Sequence, residues 1–423
     1  MKKLIFLYPL ALSLLALAGC GKPPRTVEKP PPAIPAFVKV RLPVSNNSCE
    51  IRSDAAWILQ IHRADSSKEW FETDSYFQFK SGRLSLNLFE NGKTQFGAYV
   101  VWTRMLPAAG RLLSLDGKPY RGELWASVDS FANLILVNQV PLEEYIKGVL
   151  PPEIGKRGPQ EMEVLKAQAV AARTYTLSHL GQYPGKPWDM EADVKDQIYS
   201  GTGVEDPLAS KAIDETAGEV AIYKGSFINA YYHSTCGGKT DFISEIWPNK
   251  PQEDYLVSID DDTFCVWSKN YRWREVLTAD WLNRKVSSYL KSKGQLADGA
   301  MIPITDLVAV DRAASGRLRA LKVVTEEENY LILADSMRWA LGRPSSPNPQ
   351  AILPSTWFEI ETFRSQSGQL DSVVLTGRGA GHGIGMCQTG AIGRARAGQA
   401  YKQILEHYYP GIKFERKRQW GSE

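Results

Sequence analysis

The stretch from Gly158 to Leu180 restricts the fold of this chain more than any other. Pro159 suits the first turn of a helix, where its missing N–H removes no hydrogen bond. Beyond it Ala167, Ala169, Ala171 and Ala172 leave almost no side-chain bulk, and Leu165, Ala169, Ala172 and Thr176 fall on one face at helical spacing. So smooth a helix is built to be buried closely, and the rest of the chain must supply the core around it.

Strands are the expected source of that core. From Phe37 to about Val140, runs such as Val38–Leu42, Leu84–Leu88 and Leu134–Val137 are separated by Gly, Asn and Asp turn signals. Leu142–Leu150 then leads into Pro151-Pro152-Glu153. A helix over Leu208–Glu215, stopped near Gly218, precedes strands over Glu219–Tyr223 and Ile228–His233. Alternating runs return between Thr305 and Val374, before a glycine-rich motif and a last helix. No internal repeat is visible. The pattern predicts an α+β class: a mixed β-rich core around a buried Ala-rich helix, with an N-terminal β-rich region over 37–130 that can stand as a separate module. Single cores stop growing beyond roughly 250–300 residues, so two or more domains are expected.

The N-terminal residues read as an address. Lys2 and Lys3 precede an apolar stretch over Leu4–Leu17, which closes on Leu17-Ala18-Gly19-Cys20. This is the form of a lipoprotein signal peptide over residues 1–20, with Cys20 the lipidated residue. A retained span fits less well, because the stretch falls short of roughly 20 apolar residues and contains Pro9. Residues 21–36 form a Pro-rich tether, extended on the order of 50 Å if fully drawn out. Gly21 gives no Asp-type retention signal, so the expected location is the cell envelope, lipid-anchored and exported, at the outer membrane and periplasm if there are two membranes.

A formal charge of +3 over 423 residues argues for no nucleic-acid partner. Twelve Trp suggest sugar-stacking surfaces beside ordinary core use. Apart from Cys20, the cysteines are Cys49, Cys236, Cys265 and Cys387, an even number that permits three disulfide connectivities.

Three groups could carry chemistry. Glu153 has apolar neighbours in Val149, Leu150, Pro151, Pro152 and Ile154, which would raise its pKa and make it a general acid if the site is partly dry. The alternative is an exposed turn residue before a helix. The segment Tyr231–Thr240 presents His233, Ser234, Thr235 and Cys236 ahead of two glycines that allow close ligand approach. His233 and Cys236 alone are too few for zinc, and a Cys236 disulfide, with Cys265 as one partner, is the rival reading. Third, glycines alternate from Gly377 to Gly385 and leave His382 and Gln388 few bulky neighbours. His382 there is either functional or a structural pin for the turn. No βαβ unit surrounds this motif, so a dinucleotide site is rejected.

Together these pieces resemble the SpoIID/LytB family, that of stage II sporulation protein D and the amidase enhancers. The resemblance rests on Val137-Asn138, Leu142–Tyr145, Gly148-Val149, Pro152-Glu153, the helix Leu165–Tyr175, Asp196-Gln197 with Tyr199 and Gly201, His233–Thr240, Ser315-Gly316-Arg317, Gly379–Ala391 and His407–Gly411. It implies a domain over 131–415 that acts on peptidoglycan glycan strands, and a lytic transglycosylase with Glu153 as catalytic acid and base. Such an enzyme would cleave the bond from N-acetylmuramic acid to N-acetylglucosamine and leave 1,6-anhydro ends. Arg173, Gln197, Tyr199, His233, Ser234, Thr235, His382 and Gln388 are the expected substrate-binding residues. No cofactor is required. Cys387 stands where many relatives carry Ser, and Cys265 has no clear second cysteine beside it, so no zinc site is carried over. Were a metal bound, the candidates would be His233, Cys236, Cys265 and His382. Two rival readings are a muramidase-like hydrolase, in which Asp189, Glu191, Asp193 or Asp196 faces Glu153, and a non-catalytic glycan-binding protein that enhances a wall amidase.

Overall fold

The computed structural model describes residues 37–82, 85–90, 93–96 and 100–416. The expected signal peptide, the expected tether and Cys20 lie outside them. No helix among the described residues is long and apolar enough to cross a membrane.

The N-terminal runs alternate inward and outward side chains. In Phe37–Leu42, Val38, Val40 and Leu42 are buried while Lys39 and Arg41 face out, as a half-buried strand requires. Two sheets result. One has seven strands in the order Met190–Glu191, Phe37–Leu42, Leu134–Pro141, Glu123–Val128, Val100–Pro107, Trp57–Arg63 and Lys68–Thr73. The other has six, in the order Lys118–Tyr120, Leu113–Leu115, Ser48–Ser53, Phe77–Ser81, Leu86–Glu90 and Lys93–Phe96.

Strand Leu134–Pro141 runs directly into helix α1 (Leu142–Ile154), and a short 3₁₀ turn at Pro159–Glu161 opens helix α2 (Met162–Ser178). The alanines of α2 are fully buried, and so are Val164, Val170 and Arg173, so α2 is enclosed on all sides rather than along one face. Around it pack α1, helix α3 (Pro207–Glu215), strand Glu219–Tyr223 and the C-terminal helices Gln388–Arg396 and Tyr401–Tyr408. The N-cap of α3 is Asp206, whose Oδ1 accepts from the amides of Leu208 and Ala209 at 3.0 Å each. This arrangement is the α+β fold that the sequence predicts.

Two features differ from expectation. The core does not divide at residue 130: Phe37–Leu42 pairs along its whole length with Leu134–Pro141, and one hydrophobic cluster runs from Val38 to Ile412. The division falls instead at Tyr271 and Gly379, which are joined by Gly379 N–H donating to Tyr271 O at 3.2 Å. Between them lies an inserted body with its own core of Leu277, Leu282, Val286, Leu321, Val323, Met337, Phe358 and Leu375. It holds two three-stranded antiparallel sheets and the helices Ala279–Ser292 and Ser336–Leu341. The second difference is the strand expected over Ile228–His233, of which Tyr232–His233 alone is extended and paired, parallel to Met386–Cys387. Tyr231 N–H instead closes a tight turn onto Asn229 O at 2.8 Å.

Candidate active site

Glu153 sits in the last turn of α1, not before a helix, and proline chemistry fixes its surroundings. Pro152 has no N–H to give the carbonyl four residues back. That carbonyl, Gly148 O, accepts from Ser200 N–H at 3.3 Å instead. The segment drawn onto the helix end in this way places Ile198 N–H 2.7 Å from Glu153 Oε1. On the other side Gln388 Nε2 donates to the Glu153 carbonyl at 3.1 Å. The helix then stops at Gly155, whose φ of 74° suits glycine. Burial raises the Glu153 carboxyl to about 7, against a smaller opposing effect of the Ile198 amide.

The carboxyl opens on a cleft of about 500 Å³ lined by Glu153, Tyr232, His233, Ser234, His382 and Gln388 from the main body and by Asp335, Arg338, Trp339 and Ile352 from the inserted one. A neighbouring depression of about 470 Å³ shares Trp247, Asp335 and Trp339 with it, so the concave surface continues across both bodies. Trp339 is half exposed, and Trp247 packs its ring on His382 at 4.9 Å between centroids.

His382 accepts from Ile384 N–H at Nδ1 (3.1 Å), which leaves Nε2 to donate to Tyr232 O (3.0 Å). With both nitrogens engaged, and its pKa driven down to about 3 by burial and by Arg338, the ring is a neutral pin for the glycine-rich turn. His233 is likewise buried, with Nδ1 3.1 Å from Ile384 O.

Four residues expected to touch substrate are placed behind the cleft instead. Arg173 is fully buried, bidentate to Glu143 (2.9 and 2.6 Å) and bonded to Glu219 O (3.0 Å). Gln197 is buried among Tyr145, Thr176, Ala172 and Tyr232, all hydrogen-bonded to its carboxamide. Tyr199 donates to Asn138 Oδ1 at 2.8 Å. Thr235 has no exposed surface and bonds Ser268 and Thr389. These four build the frame, and a polymer in the cleft cannot reach them.

Of the four acids that a paired-carboxylate mechanism would recruit, Asp196 alone lines this cleft. Its oxygens already accept from Gln182, Tyr183, the Glu191 amide and, at 3.5 Å, Tyr175. Asp189 accepts from Lys39 N–H, Glu191 pairs with Arg41, and Asp193 lies in an exposed turn.

A family model described as stage II sporulation protein (SpoIID) matches residues 131–223, and one described as a domain of unknown function (DUF8618) matches 243–385. An uncharacterized protein of Brachyspira hyodysenteriae is 33% identical over 71% of this chain and 73% of its own. The amidase enhancer of Bacillus subtilis is 30% identical over 79% of this chain, and stage II sporulation protein D of the same organism is 28% identical over 65% of it and 74% of its own. The chain belongs to the SpoIID/LytB family. It spans about half, 49%, of the amidase enhancer's length.

The SpoIID match covers α1, α2 and the segment that holds Glu153, while the second match covers the whole inserted body and ends just after His382. Sequence reasoning missed the second wall of this SpoIID/LytB cleft. Trp339 and Arg338 sit on a six-residue helix too short to announce itself by periodicity. The metal candidates are also re-sorted. His382 does not join the cysteines and His233 touches Cys387 alone, whereas the sulfurs of Cys236, Cys265 and Cys387 meet one another and the Asp261 carboxylate. All four cysteines outside the N-terminal segment are free thiols.

Proposed function

We propose that this chain is a peptidoglycan lytic transglycosylase whose acid and base is Glu153. The observation that carries the reading is the Glu153 carboxyl at the cleft, lifted to about 7 by burial, while the two other carboxyls that line it are engaged, Asp196 by Gln182 and Tyr183 and Asp335 by Arg338. Protonated Glu153 gives its proton to the oxygen that links N-acetylmuramic acid to N-acetylglucosamine, and that bond breaks. The carboxylate then takes the proton of the muramic C6 hydroxyl as this oxygen bonds to C1, which leaves a 1,6-anhydro end. The ring's own hydroxyl replaces water, so proximity comes from the substrate and one carboxyl serves where hydrolysis generally uses two. No cofactor enters the step. The full set of bonds on Asp196 disfavours the muramidase reading. Trp247 and Trp339 offer ring faces for sugars along the strand.

A second reading, a non-catalytic protein that grips glycan and enhances a wall amidase, is favoured by the 30% identity to the amidase enhancer. Incubating the chain and its Glu153→Gln variant with glycan strands, with and without stem peptides, separates the two by mass spectrometry. Anhydro ends from the parent alone support the enzyme. Intact strands that both proteins bind would move the assignment to the enhancer. In either case the site of action is the cell envelope, with Cys20 as the lipid anchor. A Cys20→Ser chain is expected to leave the membrane fraction, and its retention there would sink the anchor.

A further inference from the structure

Behind the cleft, three sulfurs and a carboxylate come together from distant parts of the chain. The ligand atoms of Cys236, Asp261, Cys265 and Cys387 all lie within 4.8 Å of one another, and all four residues are buried. Cys236 Sγ is 3.4 Å from Cys265 Sγ and 3.3 Å from Asp261 Oδ2. Around a tetrahedral zinc ion, bonds of about 2.3 Å to sulfur put ligand atoms roughly 3.5–3.8 Å apart, so the cluster needs little movement to close on one. We propose that these four residues bind a structural zinc ion.

Backbone amides converge on two of the sulfurs. Cys387 Sγ accepts from Cys236 N–H at 3.1 Å and from Gly390 N–H at 3.3 Å, and Cys236 Sγ accepts from Gly238 N–H at 3.3 Å. Backbone donors aimed at sulfur stabilise negative charge there. The acid is oriented from outside: Asp261 Oδ1 accepts from Tyr408 OH at 2.5 Å and lies 3.5 Å from Arg394 Nη2, while Oδ2 faces the sulfurs. An outer partner that fixes the free oxygen of a ligating carboxylate is what a metal site requires. On binding, the three thiols release their protons to solvent, and the Arg394 guanidinium offsets part of the negative charge left around the ion. Three sulfurs also fit a metal better than a disulfide, because any one pairing leaves a third buried thiol against it.

Four protein ligands leave no open position, so the ion holds structure rather than takes part in chemistry. It would clamp the segments that carry the cleft. Cys236 follows the run His233-Ser234-Thr235, Cys387 immediately precedes Gln388, and Asp261 and Cys265 lie on the loop that leads to the inserted body. The inference is independent of what the cleft does to glycan.

The test is metal content and spectroscopy on the purified full-length chain, kept reduced and supplied with zinc(II). One zinc per chain is expected. Exchange with cobalt(II) should give sulfur-to-cobalt charge transfer in the near ultraviolet and the intense visible bands of a tetrahedral ion. Cys387→Ser and Cys265→Ser should lower zinc affinity at least tenfold, while Cys49→Ser, in the six-stranded sheet, should keep the full complement. The cobalt spectrum of the parent decides the matter even if the variants fail to fold. A reduced, folded parent that takes up neither metal overturns the site, and so does equal affinity in Cys387→Ser. Recovery of a Cys236–Cys265 disulfide from protein isolated without reductant would overturn it as well.

Discussion

At the scale of single residues, the role proposed for Glu153 predicts a pH dependence. A general acid must carry its proton, and a carboxyl near 7 does so below neutrality. The rate of anhydro-end formation, as kcat/KM, is therefore expected to fall as pH rises through about 7, and Glu153→Gln should lose on the order of 10²–10⁴-fold. A flat profile from pH 6 to 9 would remove Glu153 from the acid role. The raised pKa was legible, because five apolar neighbours surround Glu153 in the sequence itself. Arg173, Gln197, Tyr199 and Thr235 were identifiable as marked positions but not as frame residues. Sequence gives a residue's type and spacing, whereas the side of the backbone wall it occupies depends on partners such as Glu143 and Asn138 that are 30 and 61 residues away. The cysteine cluster escaped for the same reason: Cys236 and Cys387 are 151 residues apart and meet through a two-residue parallel pairing.

At the scale of elements, one buried ion pair ties α2 to α1 within the packing that encloses α2. Arg173 and Glu143 join α2 to α1 in a site where Arg173 has no exposed surface. Replacing one partner leaves the other charge nearly buried and unpaired, so Arg173→Leu is expected to lose about 3–5 kcal/mol of stability. Denaturant unfolding measures this, and a loss below about 1 kcal/mol would mean that Glu143 finds water or another donor. The small side chains of α2 made its burial readable in advance, since nothing else lets backbones come so near. The amphipathic helix Ala279–Ser292 was passed over, although Thr278 caps it and Leu282, Val286 and Leu290 recur on one face. The residues from Ile228 to Tyr231 misled because an apolar, aromatic run is equally at home in a buried turn.

At the scale of the whole molecule, the cleft belongs to two bodies. Arg317 of the inserted body reaches into the main one, paired with Asp241 at 2.8 Å and bonded to Cys236 O at 2.6 Å, with no exposed surface on either charged side chain. This link fixes the wall that bears Trp339. Trp339→Ala is expected to raise KM for long glycan strands about tenfold, ~1.4 kcal/mol, with kcat little changed. An unchanged KM would mean that the strand stays on the main body.

The C-terminal pairings have a consequence for timing. Gln388 braces the helix end at Glu153, Met386–Cys387 pairs with Tyr232–His233, and Lys413–Arg416 completes the sheet begun by Glu219–Tyr223. Contacts this distant in sequence form late, after the entropy of closing long loops has been met. A partly synthesised chain therefore has Glu153 but no cleft around it, and on the proposed reading it stays inert toward glycan until the segment from Met386 to Arg416 arrives.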